Sequence, residues 1–109
     1  MDKPMLLYVL CEDTMQAEDI SKMLLSKRLV ACTNTIARVS SEFWWPPESR
    51  SLNKTEETLL LAKTLASRWK RIEKEVVKIH TYKTPAILAI PLLHVNKSYY
   101  DWIVSELKR

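Results

Sequence analysis

Glycine is missing altogether from this 109-residue chain. At the usual ~7%, a chain of this length would carry about eight. The absence removes every site built on a glycine-rich loop. There is no P-loop and no GxGxxG fingerprint, so nucleotide binding by those routes is excluded. Turns and helix ends must be made by residues that carry a Cβ. Asn34, Asn53 and Asn96 are the residues best suited to left-handed backbone.

Cysteine is scarce too. Cys11 and Cys32 form no CxxC pair, so neither a disulfide framework nor a zinc ribbon is expected. No apolar run approaches the ~20 residues of a membrane span. Met1-Asp2-Lys3-Pro4 leads straight into a strand pattern with no separate signal-like apolar stretch, so a cytoplasmic protein is expected. What is present is ordinary for a folded protein: 47% hydrophobic and 28% charged residues, in a length that suits one domain spanning 1–109. The net charge of +4 is a mild excess and calls for no nucleic-acid or membrane partner.

The periodicity reads as follows. Met5 to Cys11 is a short, almost wholly apolar strand suited to burial on both faces. Asp13 or Thr14 caps a helix running to about residue 28. From Val30 to Trp45 a long strand is apolar on even positions through Ile36 and on odd positions from Val39. That phase change predicts a bulge near Ala37-Arg38. Pro46 to Lys54 reads as a loop and Glu57 to Thr64 as the next strand. Leu65, Trp69, Ile72, Val76 and Ile79 form the apolar stripe of a second helix, opposite a face rich in Lys and Arg. That basic face reads as solvated, with Glu73 and Glu75 at pairing distance from Lys70 and Arg71. Ala86 to Leu93 is a strand broken late by Pro91, and Ser98 to Lys108 a short helix. Trp69 and Trp102 read as core.

The first six elements have the order βαββαβ, which is the ferredoxin-like α+β duplication. Right-handed crossovers place two helices on one face of an antiparallel sheet, with the C-terminal helix added. Several strands are apolar on both sides, so the second face needs cover from other copies.

Local strings then become informative. KRLVACTN over 27–34, Phe43-Trp44-Trp45, the strand-ending Lys63-Thr64, HTYKTPAI over 80–87 and Tyr100-Asp101-Trp102-Ile103 together resemble the CutA family of divalent-cation tolerance proteins, in register along nearly the whole chain. The resemblance implies a compact homotrimer, similar in architecture to PII signalling proteins, and no agreed catalytic reaction. It implies copper or another divalent cation as ligand, with Cys11 and His80 as the metal-binding residues. The chain departs from the family pattern at Thr81, where the family has proline, at Ala37-Arg38, where it has Pro-Gly, and at Ala86, where the third ligand, a glutamate, is expected.

Two ligands fall short of the three or four that copper and zinc sites take. Glu12 or a neighbouring subunit would have to complete the set. Without a metal, Cys11 reads as a small buried strand residue and His80 as a cation at a helix C-terminus. An enzyme with Cys11 as nucleophile and His80 or Glu12 as base lacks an orienting third group, so no enzyme is expected. Lys63 and Tyr82 are expected to wall a cleft between subunits. Phe43, Trp44 and Trp45 are expected at the trimer interface. Cys32 is assigned to packing and His94 to the surface. Two alternatives to a cation module stand beside it: a PII-like trimer binding a small metabolite, and a structural trimer presenting a surface to a protein partner.

Overall fold

A computed structural model describes residues 1–48 and 50–109. Strand β1 (Pro4–Cys11), helix α1 (Thr14–Ser26), strands β2 (Cys32–Trp44) and β3 (Leu52–Leu65), helix α2 (Trp69–Ile79), strand β4 (Ile87–Pro91) and helix α3 (Lys97–Leu107) follow in order, with one short 3-10 turn before α2. The four strands make one sheet in the order β2-β3-β1-β4. All three strand pairs are antiparallel. This is the ferredoxin-like arrangement expected from the element order.

Alternation decides where the core lies. Leu7, Val9 and Cys11 of β1 and Leu60 and Ala62 of β3 share one face and are wholly buried. They form one cluster with Ala17, Ile20 and Leu24 of α1 and Ile72 and Val76 of α2. Both helices therefore cover the same side. The opposite phase carries Leu6, Tyr8, Leu10, Leu59 and Leu61, all partly open, with Ile36, Leu88 and Ile90 exposed. β1 is thus buried on one face and half-open on the other within a single chain. Helix α3 covers only one end of the second face, where Leu65 packs with Ile103 and Leu107.

Local chemistry explains the boundaries. Asp13 caps α1, its Oδ1 accepting from the Gln16 amide at 2.8 Å. At the other end the Arg28 amide donates to Leu25 O and the Leu29 amide to Leu24 O, closing a Schellman motif. The left-handed residue in that motif is Arg28, at φ 55°. The helix stops at Ser26, two residues short of the expected end. The β2–β3 register shifts between Ile36 and Val39, so the predicted bulge is present. Arg38 occupies it at φ 63°. Among the described residues, left-handed backbone falls on Arg28, Arg38 and Glu48 and not on the asparagines. Asn34 and Asn53 lie in strands, and Asn96 precedes α3 in extended backbone.

Three other expectations change. The stretch 52–54, read as loop, is paired strand opposite Glu42, Phe43 and Trp44. β2 and β3 thus continue past the sheet as an arm exposed along 40–44 and 52–56 except at Ser41, and the molecule reaches 47 Å along its longest axis. Ser49, within that expected loop, lies outside the described residues. Leu65 ends β3 instead of opening α2, and Ile79 is exposed. Trp69 packs against the core, whereas Trp102 is exposed and stacks at 5.5 Å on Tyr99. Glu75 of α2 is buried instead of solvated and pairs with Lys78 at 2.9 Å and with Lys27 just past α1, in place of Arg71.

Candidate functional site

The end of β1, the start of α1 and the segment after α2 meet at one corner. His80 leaves α2 in extended backbone, its amide still donating to Val76 O at 2.9 Å. Its ring is spent on two backbone groups. Nε2 lies 2.7 Å from Leu10 O, and the Tyr82 amide donates to Nδ1 at 3.1 Å. A carbonyl can only accept and an amide can only donate, so the ring carries its proton on Nε2 and is neutral. This differs from the helix-terminal cation read from the sequence.

The same turn holds Tyr82, whose hydroxyl donates to Glu57 Oε2 at 2.8 Å. The two rings sit 4.8 Å apart at 48°. Burial, and then the Glu57 carboxylate, push the Tyr82 hydroxyl above its ordinary pKa. Glu57 is buried, and it stands in the phase of the uncovered sheet face. Beside it opens a groove of about 830 Å³ between this corner and the β2–β3 arm. Phe43 and Trp45 supply aromatic wall, and Lys54 and Lys83 supply charge. Mostly apolar clefts of this size with few convergent polar groups are the usual form of a small-molecule site.

Thr81 belongs to a second network. It accepts from Gln16 Nε2 at 2.7 Å and donates to Glu12 Oε2 at 3.3 Å. Gln16 Oε1 in turn accepts from the Glu12 amide at 2.7 Å. Proline cannot make the two side-chain bonds that Thr81 makes here.

Cys11 lies on the covered face, wholly buried, its Sγ 3.8 Å from Val9 O. Burial first, then Asp13 and Glu57, push its thiol up to about 12. That is the setting of an inert thiol, neither nucleophile nor ready ligand. Glu12 lies in the bend after β1 and is exposed. Ala86 brings no donor. Among the described residues no three of His, Cys, Asp and Glu are grouped to hold a metal. The residues of this corner do not fit a copper or zinc centre.

The remaining candidates separate. Lys63 lies on the same sheet face as Glu57 but six positions along β3, roughly 20 Å at the strand rise, and donates to Asn34 Oδ1 at 2.6 Å. One chain does not bring Lys63 and Tyr82 together. Phe43, Trp44 and Trp45 sit on the exposed arm, Trp44 with 61% of its surface open. Cys32 lies 3.2 Å from the Tyr99 hydroxyl in a partly buried contact, and both cysteines are free. His94 is exposed beyond β4. Sequence reasoning passed over Glu57 and Gln16. For Glu57 the available signal was a carboxylate two residues before Leu59, where the apolar run of β3 starts.

Comparison with known proteins places this architecture. The family model described as CutA1 divalent ion tolerance protein matches residues 5–106. The chain belongs to the CutA1 family. A divalent-cation tolerance protein CutA of Archaeoglobus fulgidus is 35% identical over 97 residues, covering 89% of this chain and 91% of that one. A zebrafish (Danio rerio) CutA homolog is 34% identical and covers 94% of this chain but 66% of its own length. Among solved CutA1 structures, that from Ehrlichia chaffeensis superposes with a TM-score of 0.90 at 26% identity, over 98% of this chain and 97% of that one. The structure from Archaeoglobus fulgidus, described as periplasmic, gives 0.89 at 33% identity over 95% and 98%. No helix among the described residues is long and apolar enough to cross a membrane.

Proposed function

We propose that the protein is a homotrimeric, non-catalytic binding module serving divalent-cation tolerance in the cytoplasm. Its ligand cleft forms where the Tyr82–Glu57 groove of one copy meets the Lys63 end of the next. The observation that carries this reading is the uncovered sheet face. Leu6, Tyr8, Leu59, Leu61, Leu88 and Ile90 lie there, partly or largely open. Each apolar side chain taken fully out of water contributes about 1.5–3 kcal/mol, so such a face is costly on a free monomer. A head-to-tail cyclic contact would set opposite ends of one face against each other. That contact would bring Lys63 to Tyr82, which the single chain keeps apart. The aromatic arm of Phe43, Trp44 and Trp45 would reach the neighbouring subunit. The resemblance to CutA trimers supplies the number three, and copper or another divalent cation is the ligand the family name supports. Both His80 nitrogens are engaged by backbone groups, so His80 has no free lone pair with which to take a proton from the Cys11 thiol. This supports a non-catalytic reading.

The groove favours a second reading, in which the bound molecule is a small metabolite. Thermal-shift screening of metabolites and metals separates the two.

Native mass spectrometry tests the assembly. We expect three chain masses for the wild type. We expect one chain mass, with circular dichroism retained, for the Leu88→Lys/Ile90→Lys double variant. A wild-type protein that stays monomeric at working concentration would sink the reading.

A further inference from the structure

We infer that whatever divalent cation this protein answers to is not held by Cys11, Glu12 and His80, the donors that converge at the end of β1. The inference does not rest on the trimer.

Each donor is committed in a different way. His80 could offer a lone pair at Nδ1 only by releasing the Tyr82 amide, and at Nε2 only by losing its proton and its bond to Leu10 O. Either change strips a backbone group of its partner at a largely buried corner. Cys11 faces the layer between sheet and helices, wholly buried and clustered with Ala17 and Ile20. Glu12 lies in the bend just past β1 and is exposed, and its carboxylate is engaged by the Thr81 hydroxyl. A single ion could join the wholly buried Cys11 sulfur to the exposed, hydrogen-bonded Glu12 carboxylate only by unwinding the end of β1. Gln16 and Thr81 close a ring of hydrogen bonds with Glu12 that opposes such unwinding. Ala86, nearby in the groove, adds no donor. The histidine that most invites a metal assignment is instead a neutral tie. It joins the end of α2 to β1 and sets the backbone from which Tyr82 reaches Glu57.

The test titrates Zn(II), and separately Cu(II), into the full chain by calorimetry, comparing wild type with Cys11→Ala. We expect superimposable isotherms, whether both bind metal elsewhere or neither binds. A tenfold or greater weakening in Cys11→Ala, equivalent to about 1.4 kcal/mol, overturns the inference provided the variant's circular dichroism matches wild type. Two measurements avoid dependence on that variant's folding. In a Cys32→Ala chain, whose one thiol is Cys11, Co(II) is expected to give no thiolate charge-transfer band, and its appearance overturns the proposal. In ¹⁵N-labelled wild type, the His80 ring is expected to keep its Nε2–H pattern when Zn(II) is added. A Nδ1 resonance that moves with saturation overturns it.

Discussion

The two faces of the sheet are made from nearly the same residue types and have opposite fates. On the covered face Leu7, Val9, Leu60 and Ala62 are closed completely by α1 and α2. On the other face Leu6, Tyr8, Leu59 and Leu61 remain partly open, because α3 reaches only the Leu65 end. Apolar composition alone therefore does not say which face a chain finishes by itself. Helix placement does, and the right-handed crossovers send both α1 and α2 to one side. The uncovered face also carries the Tyr82–Glu57 pair and Lys63, so the polar groups of the groove lie at the edge of surface that the chain leaves open.

The sharpest way to break the comparison is a truncation on each face. Leu60→Ala, on the covered side, is expected to cost about 2–5 kcal/mol in urea denaturation at every protein concentration. Leu61→Ala, one residue on, should cost less in a dissociated monomer, with the remainder appearing only as a concentration-dependent midpoint. Equal, concentration-independent losses would show that the faces do not differ as described.

A smaller effect probes the polar edge. Tyr82→Phe removes the hydroxyl from buried Glu57 and is expected to cost about 1–3 kcal/mol by stranding the carboxylate. The wild-type and variant denaturation midpoints at neutral pH would check it. Smaller still is the contribution of the outer helix layer. Hydrogen bonds first from Lys27 and then from Lys78 hold the Glu75 carboxyl down at about 2. Its folded pKa lies below the unfolded value of ~4.3, so the stability it adds is present above pH ~4.3 and is lost as pH falls towards 2. A urea-midpoint profile should therefore show a slope in that window that flattens in Glu75→Gln. The least effect is expected at Arg38→Gly. Releasing the left-handed strain of a Cβ-bearing residue gains about 1–2 kcal/mol, and the added freedom of the unfolded chain returns about 0.4–1 of it, leaving a net gain of about 0–1.6 kcal/mol. Differential scanning calorimetry would resolve a rise in Tm of a few degrees.

Much of the architecture was readable from periodicity. The element order, the Asp13 cap and the bulge at Ala37-Arg38 follow from local pattern. The strand pairing of 52–54 was not readable, because both faces of that arm meet solvent and no apolar alternation marks it. The left-handed positions were misassigned for a related reason. Asn tolerates that backbone best, but the Schellman end of α1 and the bulge in β2 fall where packing demands them, on Arg28 and Arg38. At the corner, the types Cys11 and His80 were visible, whereas their commitments were not. Strand phase aims Cys11 into the covered layer, and only the folded backbone reveals that Leu10 O and the Tyr82 amide claim both ring nitrogens. The Glu57 partner of Tyr82 is 25 residues distant in sequence, and its one local mark, a carboxylate just ahead of the apolar run of β3, does not point to Tyr82.

The missing glycines have a consequence on the other side of the folding equilibrium. With a Cβ at every position, the denatured ensemble has no fully permissive joints, so folding surrenders less backbone freedom than in a chain with the usual complement. Arg28, Arg38 and Glu48 pay part of that advantage back as strain in the native state. Resistance to heat in this molecule would then owe something to a constrained denatured state as well as to the packed sheet.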